Sequence, residues 1–133
     1  MGLDNGIYLE RNGQEIKMSD IGGSDIYYDV CYWRKFWEFR RITLAYLEDK
    51  YGEYYDGSEA VLDIADLKWF REQLYRWLKH PKLIEIMCEG YWTLDEIDYV
   101  EILNGEIKNL DIVIKLLEDD ENGEYRACWY DSY

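Results

Sequence analysis

Apolar residues recur at spacings of three and four along three long stretches of this 133-residue chain. From Tyr32 to Tyr51 it reads YWRKFWEFRRITLAYLEDKY. Trp33, Phe36, Trp37, Leu44 and Leu47 would share one face of a helix running to about Tyr51, with Gly52 as its C′ residue. Asp29 is a candidate N-cap for it, although Ile26 to Val30 also suits a strand. Leu67, Phe70, Leu74, Trp77 and Leu78 predict a second helix from Asp63 or Asp66 to Lys79. The two acids at its start suit the helix dipole. Pro81 ends it and could be N1 of a short third helix, Lys82 to Glu89, closed by Gly90. Thr93 and Glu96 fit a capping box. Ile97, Val100, Leu103, Ile107, Leu110, Ile114 and Leu117 then predict a long helix, weakened by ~1 kcal/mol at Gly105.

The alternating stretches are shorter. Ile7 to Arg11 and Gln14 to Met18 flank Asn12-Gly13, the strongest short-range signal for a hairpin. Asn5-Gly6 reads as a turn before the first strand, and Ser19 to Asp25, with Gly22-Gly23, as a loop. Glu53 to Glu59 is a turn region with room for a small hairpin around Asp56-Gly57. Residues 112–130 admit two readings. Ile112 to Leu117 is rich in β-branched residues and Asn122-Gly123 is a turn, which describes a β-hairpin. The preferred reading is helix to about Asp119 and a final strand, Tyr125 to Tyr130. Together the elements predict one α+β domain over residues 1–133, a small, mostly antiparallel sheet packed against about three helices.

Composition sharpens this. Apolar residues make up 48% and aromatics 17%, enough to exclude intrinsic disorder. Fourteen Tyr and six Trp exceed the needs of a small core, so some rings should reach the surface, on a half-wet sheet face or a self-association surface such as a homodimer. Cys31, Cys88 and Cys128 are widely spaced and form no CxxC pair, which predicts free buried thiols in a reducing compartment. The N-terminal MGLDNGIYLER lacks the basic and apolar regions of a secretory leader, and no apolar run reaches membrane-spanning length, so a cytoplasmic protein away from the membrane is expected.

Charge divides the chain. The net charge is −14. Residues 83–125 hold 13 acids against Lys108 and Lys115 alone. Such a field repels nucleic acid and favours basic partners. On a helical wheel Asp95, Asp98, Glu101 and Glu106 fall away from the stripe centred on Leu103, Ile107 and Ile114. They read as a solvated face or as a negative ridge that docks on a basic protein. The dense basic cluster is Arg34, Lys35, Arg40 and Arg41, beside Trp33 and Trp37. It reads as core aromatics with locally paired bases, or as a stacking site for a nucleotide-like ligand.

Catalytic chemistry finds no motif. His80, the sole histidine, precedes Pro81 at a helix end, which suits a cap or a solvated side chain. Glu118 to Gly123 fails as a calcium loop, because Gly at position six leaves Glu first and Trp129 at twelve. The paired carboxylates Asp95/Glu96/Asp98 and Asp119/Asp120 suit a solvated surface. No cofactor and no metal site is expected.

Three runs taken together, MGLDNGI at Met1–Ile7, YWRKFWEFR at Tyr32–Arg40 and YDSY at Tyr130–Tyr133, resemble a loose group of small phage, prophage and gut Firmicutes proteins. The resemblance implies a mobile-element protein acting on host machinery and carries no activity or catalytic residue. The leading expectation is a non-enzymatic acidic interaction protein that binds a basic host protein, nucleic-acid-binding proteins being one such class, through Asp95, Asp98, Glu101 and Glu106. The alternative is a small-ligand or nucleotide-binding protein, or an enzyme, using Asp4, Trp33, Arg34, Lys35 and Asp131. A pocket at Arg34 or Lys35 would favour the alternative, and a convex carboxylate ridge the first.

Overall fold

The structure, a computed structural model, describes residues 3–26, 29–52 and 59–132. Strands β1 (Asp4–Arg11), β2 (Gln14–Ile16), β3 (Cys31–Arg34), β4 (Glu59–Leu62) and β5 (Tyr125–Ser132) form one antiparallel sheet. β1 is central. It pairs with β5 along its whole length on one side, and with β2 and β3 at its two ends on the other. β4 lies outside β5. Helices α1 (Trp37–Tyr51), α2 (Ile64–Lys79), α3 (Lys82–Met87) and α4 (Tyr99–Glu118) complete the α+β fold.

Local chemistry explains most boundaries. Asn12 and Gly13, both at positive φ, make the β1–β2 turn. Asp63 caps α2 by accepting the Asp66 amide at 2.8 Å, while Asp66 accepts the Asp63 amide at 3.0 Å. That reciprocal capping satisfies two amide donors at the helix start, one of them inside its first turn. Asp66 is fully buried and also receives the Tyr46 hydroxyl, the Lys50 ammonium and the Tyr51 hydroxyl, which ties the end of α1 to the start of α2. Leu67, Phe70, Leu74 and Trp77 are the buried face of α2. Pro81 precedes α3, and Gly90 follows it at φ 80°.

The helix expected through Tyr32 divides in two. Val30, Cys31 and Trp33 are buried in and beside β3, and Lys35 adopts φ 66°. A left-handed residue cannot continue a right-handed helix, so α1 starts two residues later. Its buried face is Phe39, Thr43 and Leu47, while Trp37 and Leu44 are only half-buried. Trp33 belongs to the sheet layer, edge-on to Phe39 at 5.0 Å and stacked with Phe70 at 5.8 Å. Asp29 is not a helix cap. It accepts the Tyr130 hydroxyl at 2.6 Å.

Asn5-Gly6 is also no turn. Both residues lie inside β1, where a Cβ on Gly6 would stand 2.6 Å from the Cys31 carbonyl oxygen and 2.7 Å from the Tyr130 ring. The glycine serves close approach rather than chain reversal. The loop expected at Ser19 to Asp25 is in part a 3₁₀ turn, Met18–Ile21. The hairpin expected around Asp56-Gly57 lies outside the described residues. At Thr93 the capping signal forms only a turn, with the Glu96 carboxylate accepting the Thr93 amide at 3.3 Å. α4 instead starts at Tyr99, capped by Asp98, whose side chain accepts the Glu101 amide. α4 runs to Glu118 and β5 follows, so residues 112–130 are helix and strand.

Candidate functional site

Helix α4 is fixed to the sheet by polar side chains on its inner face. Glu106 and Asn109 are both buried, at 1% and 0% exposure. Asn109 donates to the carbonyls of Ser24 (2.8 Å) and Val30 (3.1 Å) and accepts the Ser24 amide at 2.8 Å. Glu106 accepts the Tyr32 amide at 3.1 Å. β3 hydrogen-bonds to β1 along one edge only, so its other edge carries backbone groups that need partners. Helix α4 supplies one, Glu106 at the Tyr32 amide, while Asn109 one turn on holds Ser24 and Val30 in the chain leading into the strand.

Beside Glu106 lies a cavity of about 280 Å³. β3 contributes Tyr32, Trp33 and Arg34 to its wall, with Phe36 from the chain that follows. Trp77 comes from α2, Ile84 from α3, and Tyr99, Ile102, Leu103 and Glu106 from α4. Trp92 closes one side, held there by its indole N–H, which donates to the Arg34 carbonyl at 3.1 Å. The Trp92 amide also donates to the Cys88 sulfur at 3.4 Å, and the Leu94 amide to Glu85 at 3.2 Å. Among the described residues the wall is therefore mostly aromatic and aliphatic, with the side chain of Glu106 its one acid.

That carboxyl has an unusual environment. Burial raises the Glu106 pKa from 4.5 to about 8, against the opposing effect of the Tyr32 amide and the Cys31 thiol. Burial and the neighbouring Glu106 push the Cys31 thiol upward as well. Among the described residues no Lys, Arg or His pairs with Glu106. A buried carboxyl without a counter-charge stays protonated or waits for a cation.

The residues expected to form a site divide. Asp4 and Arg34 do meet, at 3.8 Å, and Asp4 also accepts the Tyr32 hydroxyl at 2.8 Å. Trp33 is buried behind them at 2% exposure. Lys35 lies instead over the rings of Trp37 and Tyr91. Asp131 is buried beneath Arg40, which donates to both its oxygens, and it also receives the Asn5 amide group. Arg41 pairs with Glu38 and Glu89. Of the basic cluster, only Arg34 reaches the cavity.

Asp95, Asp98 and Glu101 are exposed, but Glu106 is not part of any ridge. Its place is explained by Val113, seven residues further on and also buried. Including Val113 in the apolar arc of α4 turns Glu106 inward, and that spacing is the signal the wheel centred on Leu103, Ile107 and Ile114 leaves out. His80 is exposed at the end of α2, where its amide closes the last turn. In the acidic turn after α4, Asp120 accepts the amides of Glu124 and Tyr125, both at 2.9 Å, so one of its acids shapes the turn. No helix among the described residues is long and apolar enough to cross a membrane.

Fold and site together define a class: an α+β domain with an aromatic cavity and a buried acid in its wall. No family model, no curated protein and no solved structure matches the chain.

Proposed function

We propose that this chain is a small-ligand-binding protein whose site is the cavity between β3, α3 and α4. The carrying observation is a cavity of about 280 Å³ with a mostly apolar wall, lined in part by the buried acid Glu106. Pockets of this make-up, apolar walls with few placed polar groups, are how proteins hold small molecules. Burying Glu106 costs stability, whereas an amide could accept the Tyr32 N–H at far lower cost. Binding, rather than catalysis, in the cytoplasm of a mobile element's host is the setting we propose.

The test uses the intrinsic fluorescence of Trp33, Trp77 and Trp92, all in the wall. A set of single-ring aromatic fragments should contain members that change it saturably. Ile102, 41% exposed and lining the cavity, offers a way to fill the space: Ile102→Trp should weaken those fragments at least tenfold with circular dichroism unchanged. Saturable fragments that bind the filled variant equally well would place their site elsewhere and refute the assignment.

A second reading rests on the surface beside the cavity. Asp98 and Glu101 share the start of α4 with Val100, 47% exposed, and Asp95 lies in the loop before it. Acidic groups around an exposed apolar residue suit a basic protein partner, approached through long-range attraction. Reversing Asp98 and Glu101 to Lys should slow capture of that partner and remove its salt dependence. Unchanged association across a salt series would refute this reading.

A further inference from the structure

Among the described residues, Arg34 and Glu106 are the two charged side chains in the cavity wall, and they differ in what already balances them. Arg34 sits at the rim, its side chain 47% exposed, facing the Asp4 carboxylate at 3.8 Å. It needs no counter-charge from a ligand. Glu106 is fully buried and none of the ion pairs among the described residues includes it. Its hydrogen bonds come from the Tyr32 amide and the Cys31 thiol, both neutral donors. An ionised carboxylate in such a place requires a cation.

We infer that the ligand is an organic monocation, an amine on a compact apolar body, whose ammonium group pairs with the Glu106 carboxylate inside the cavity. This rests on the cavity being the binding site. Trp77, Trp92 and Tyr99 line the cavity, and aromatic rings attract cations while also burying an apolar body. The net charge of −14 draws a cation toward the protein. An anionic ligand would meet that same field, with only the balanced Arg34 in its favour.

Pairing has a proton consequence. Near pH 7 the carboxyl of the free protein is largely protonated, since burial raises its pKa to about 8. An ammonium brought against it favours the ionised form, so binding releases a proton. Of the other titratable groups at this place, Cys31, Tyr32 and Arg34 come from β3 and Tyr99 from α4 itself. The Cys31 thiol is raised by burial and Tyr32 is raised too, so neither ionises near neutrality.

The probes are 2-phenylethylamine and its neutral isostere 2-phenylethanol, titrated calorimetrically into the full chain at pH 7. The amine should bind at least tenfold more tightly than the alcohol. Repeating the amine titration in buffers of different ionisation heat should show a proton released. Glu106→Gln should abolish the amine's advantage over the alcohol, both titrated into that same variant. Equal binding of the two probes, or amine binding without proton release, overturns the cation while leaving the cavity as a site. An amine advantage retained in Glu106→Gln overturns the pairing. Binding of neither probe overturns the cation inference, and the fluorescence titration with Ile102→Trp then decides separately whether the cavity is a site. The proton count on the wild-type protein stands even where the glutamine variant misfolds.

Discussion

Glu106→Gln should make the protein more stable at alkaline pH. A carboxyl that holds its proton more tightly when folded makes the folded state bind more protons than the unfolded one. Its contribution is complete below the unfolded pKa and is lost as pH rises through the folded value. For Glu106 those limits are 4.5 and about 8. The gap, at about 1.4 kcal/mol per pH unit, corresponds to about 5 kcal/mol, an upper figure because water entry and relaxation reduce it. Glutamine matches the neutral acid in shape, and its carbonyl can accept the Tyr32 N–H. Near pH 4.5 the two proteins should therefore differ by no more than about 1 kcal/mol. Across the window the variant should gain steadily, and above it the difference should level off. The assay is urea unfolding followed by tryptophan fluorescence, at half-unit steps from pH 4.5 to 9, reported as the difference between the two proteins. Asp29, raised to about 6 by burial, titrates in both and cancels. A difference that does not change with pH would show that Glu106 ionises as an ordinary surface acid and would refute its placement.

Phe39→Ala should cost about 3–5 kcal/mol, because the ring is 1% exposed and packs on Trp33, Trp69, Phe70 and Trp77. Trp37→Ala should cost clearly less, since Trp37 is only half-buried against Tyr91; equal shifts in denaturant midpoint would contradict the division of the Tyr32–Tyr51 stretch. Gly6→Ala should destabilise more than a typical surface change, by at least about 1 kcal/mol, as the added methyl meets the Cys31 carbonyl oxygen; a thermal midpoint equal to wild type would refute that approach. Cys31, Cys88 and Cys128 are buried free thiols, so a thiol reagent should label them quickly only after denaturation, and rapid labelling of the native protein would contradict their burial.

The elements legible in the sequence are those set by local chemistry. Asn12-Gly13 specifies its hairpin because both residues tolerate positive φ, and Asp63 and Pro81 mark helix starts without help from the rest of the chain. Where tertiary packing decides, local pattern misleads. Trp33 and Phe36 fall at helical spacing from Leu44 and Leu47, yet Trp33 is buried in a strand because Lys35 turns the backbone between them. Spacing records which residues are apolar and carries no mark of a left-handed residue that is not glycine. Asn5-Gly6 carries a turn signal for the same chemical reason that makes Asn12-Gly13 one. Only the pairing of β1 with both β3 and β5 reveals that Gly6 is small to admit its neighbours.

The cavity shows the same limit in a sharper form. Trp33 and Arg34 stood out in the sequence and do line it, but Trp77, Trp92 and Tyr99 come from distant stretches that only the fold brings together. Glu106 is the instructive case. In a segment with 13 acids and two bases, one more glutamate reads as solvated surface. Burial of such a residue is rare enough that composition alone never favours it. What places it inside is the free edge of β3, whose Tyr32 amide must find an acceptor. Asn109, one turn further along α4, holds the Ser24 and Val30 carbonyls, in the chain leading into β3, with a neutral amide. Backbone groups in and just before β3 are thus met by two side chains of different cost, and the costlier one belongs to a residue that lines the cavity. That asymmetry is unnecessary for closing the sheet edge, and it is the physical reason to seek the role of Glu106 in what the cavity holds.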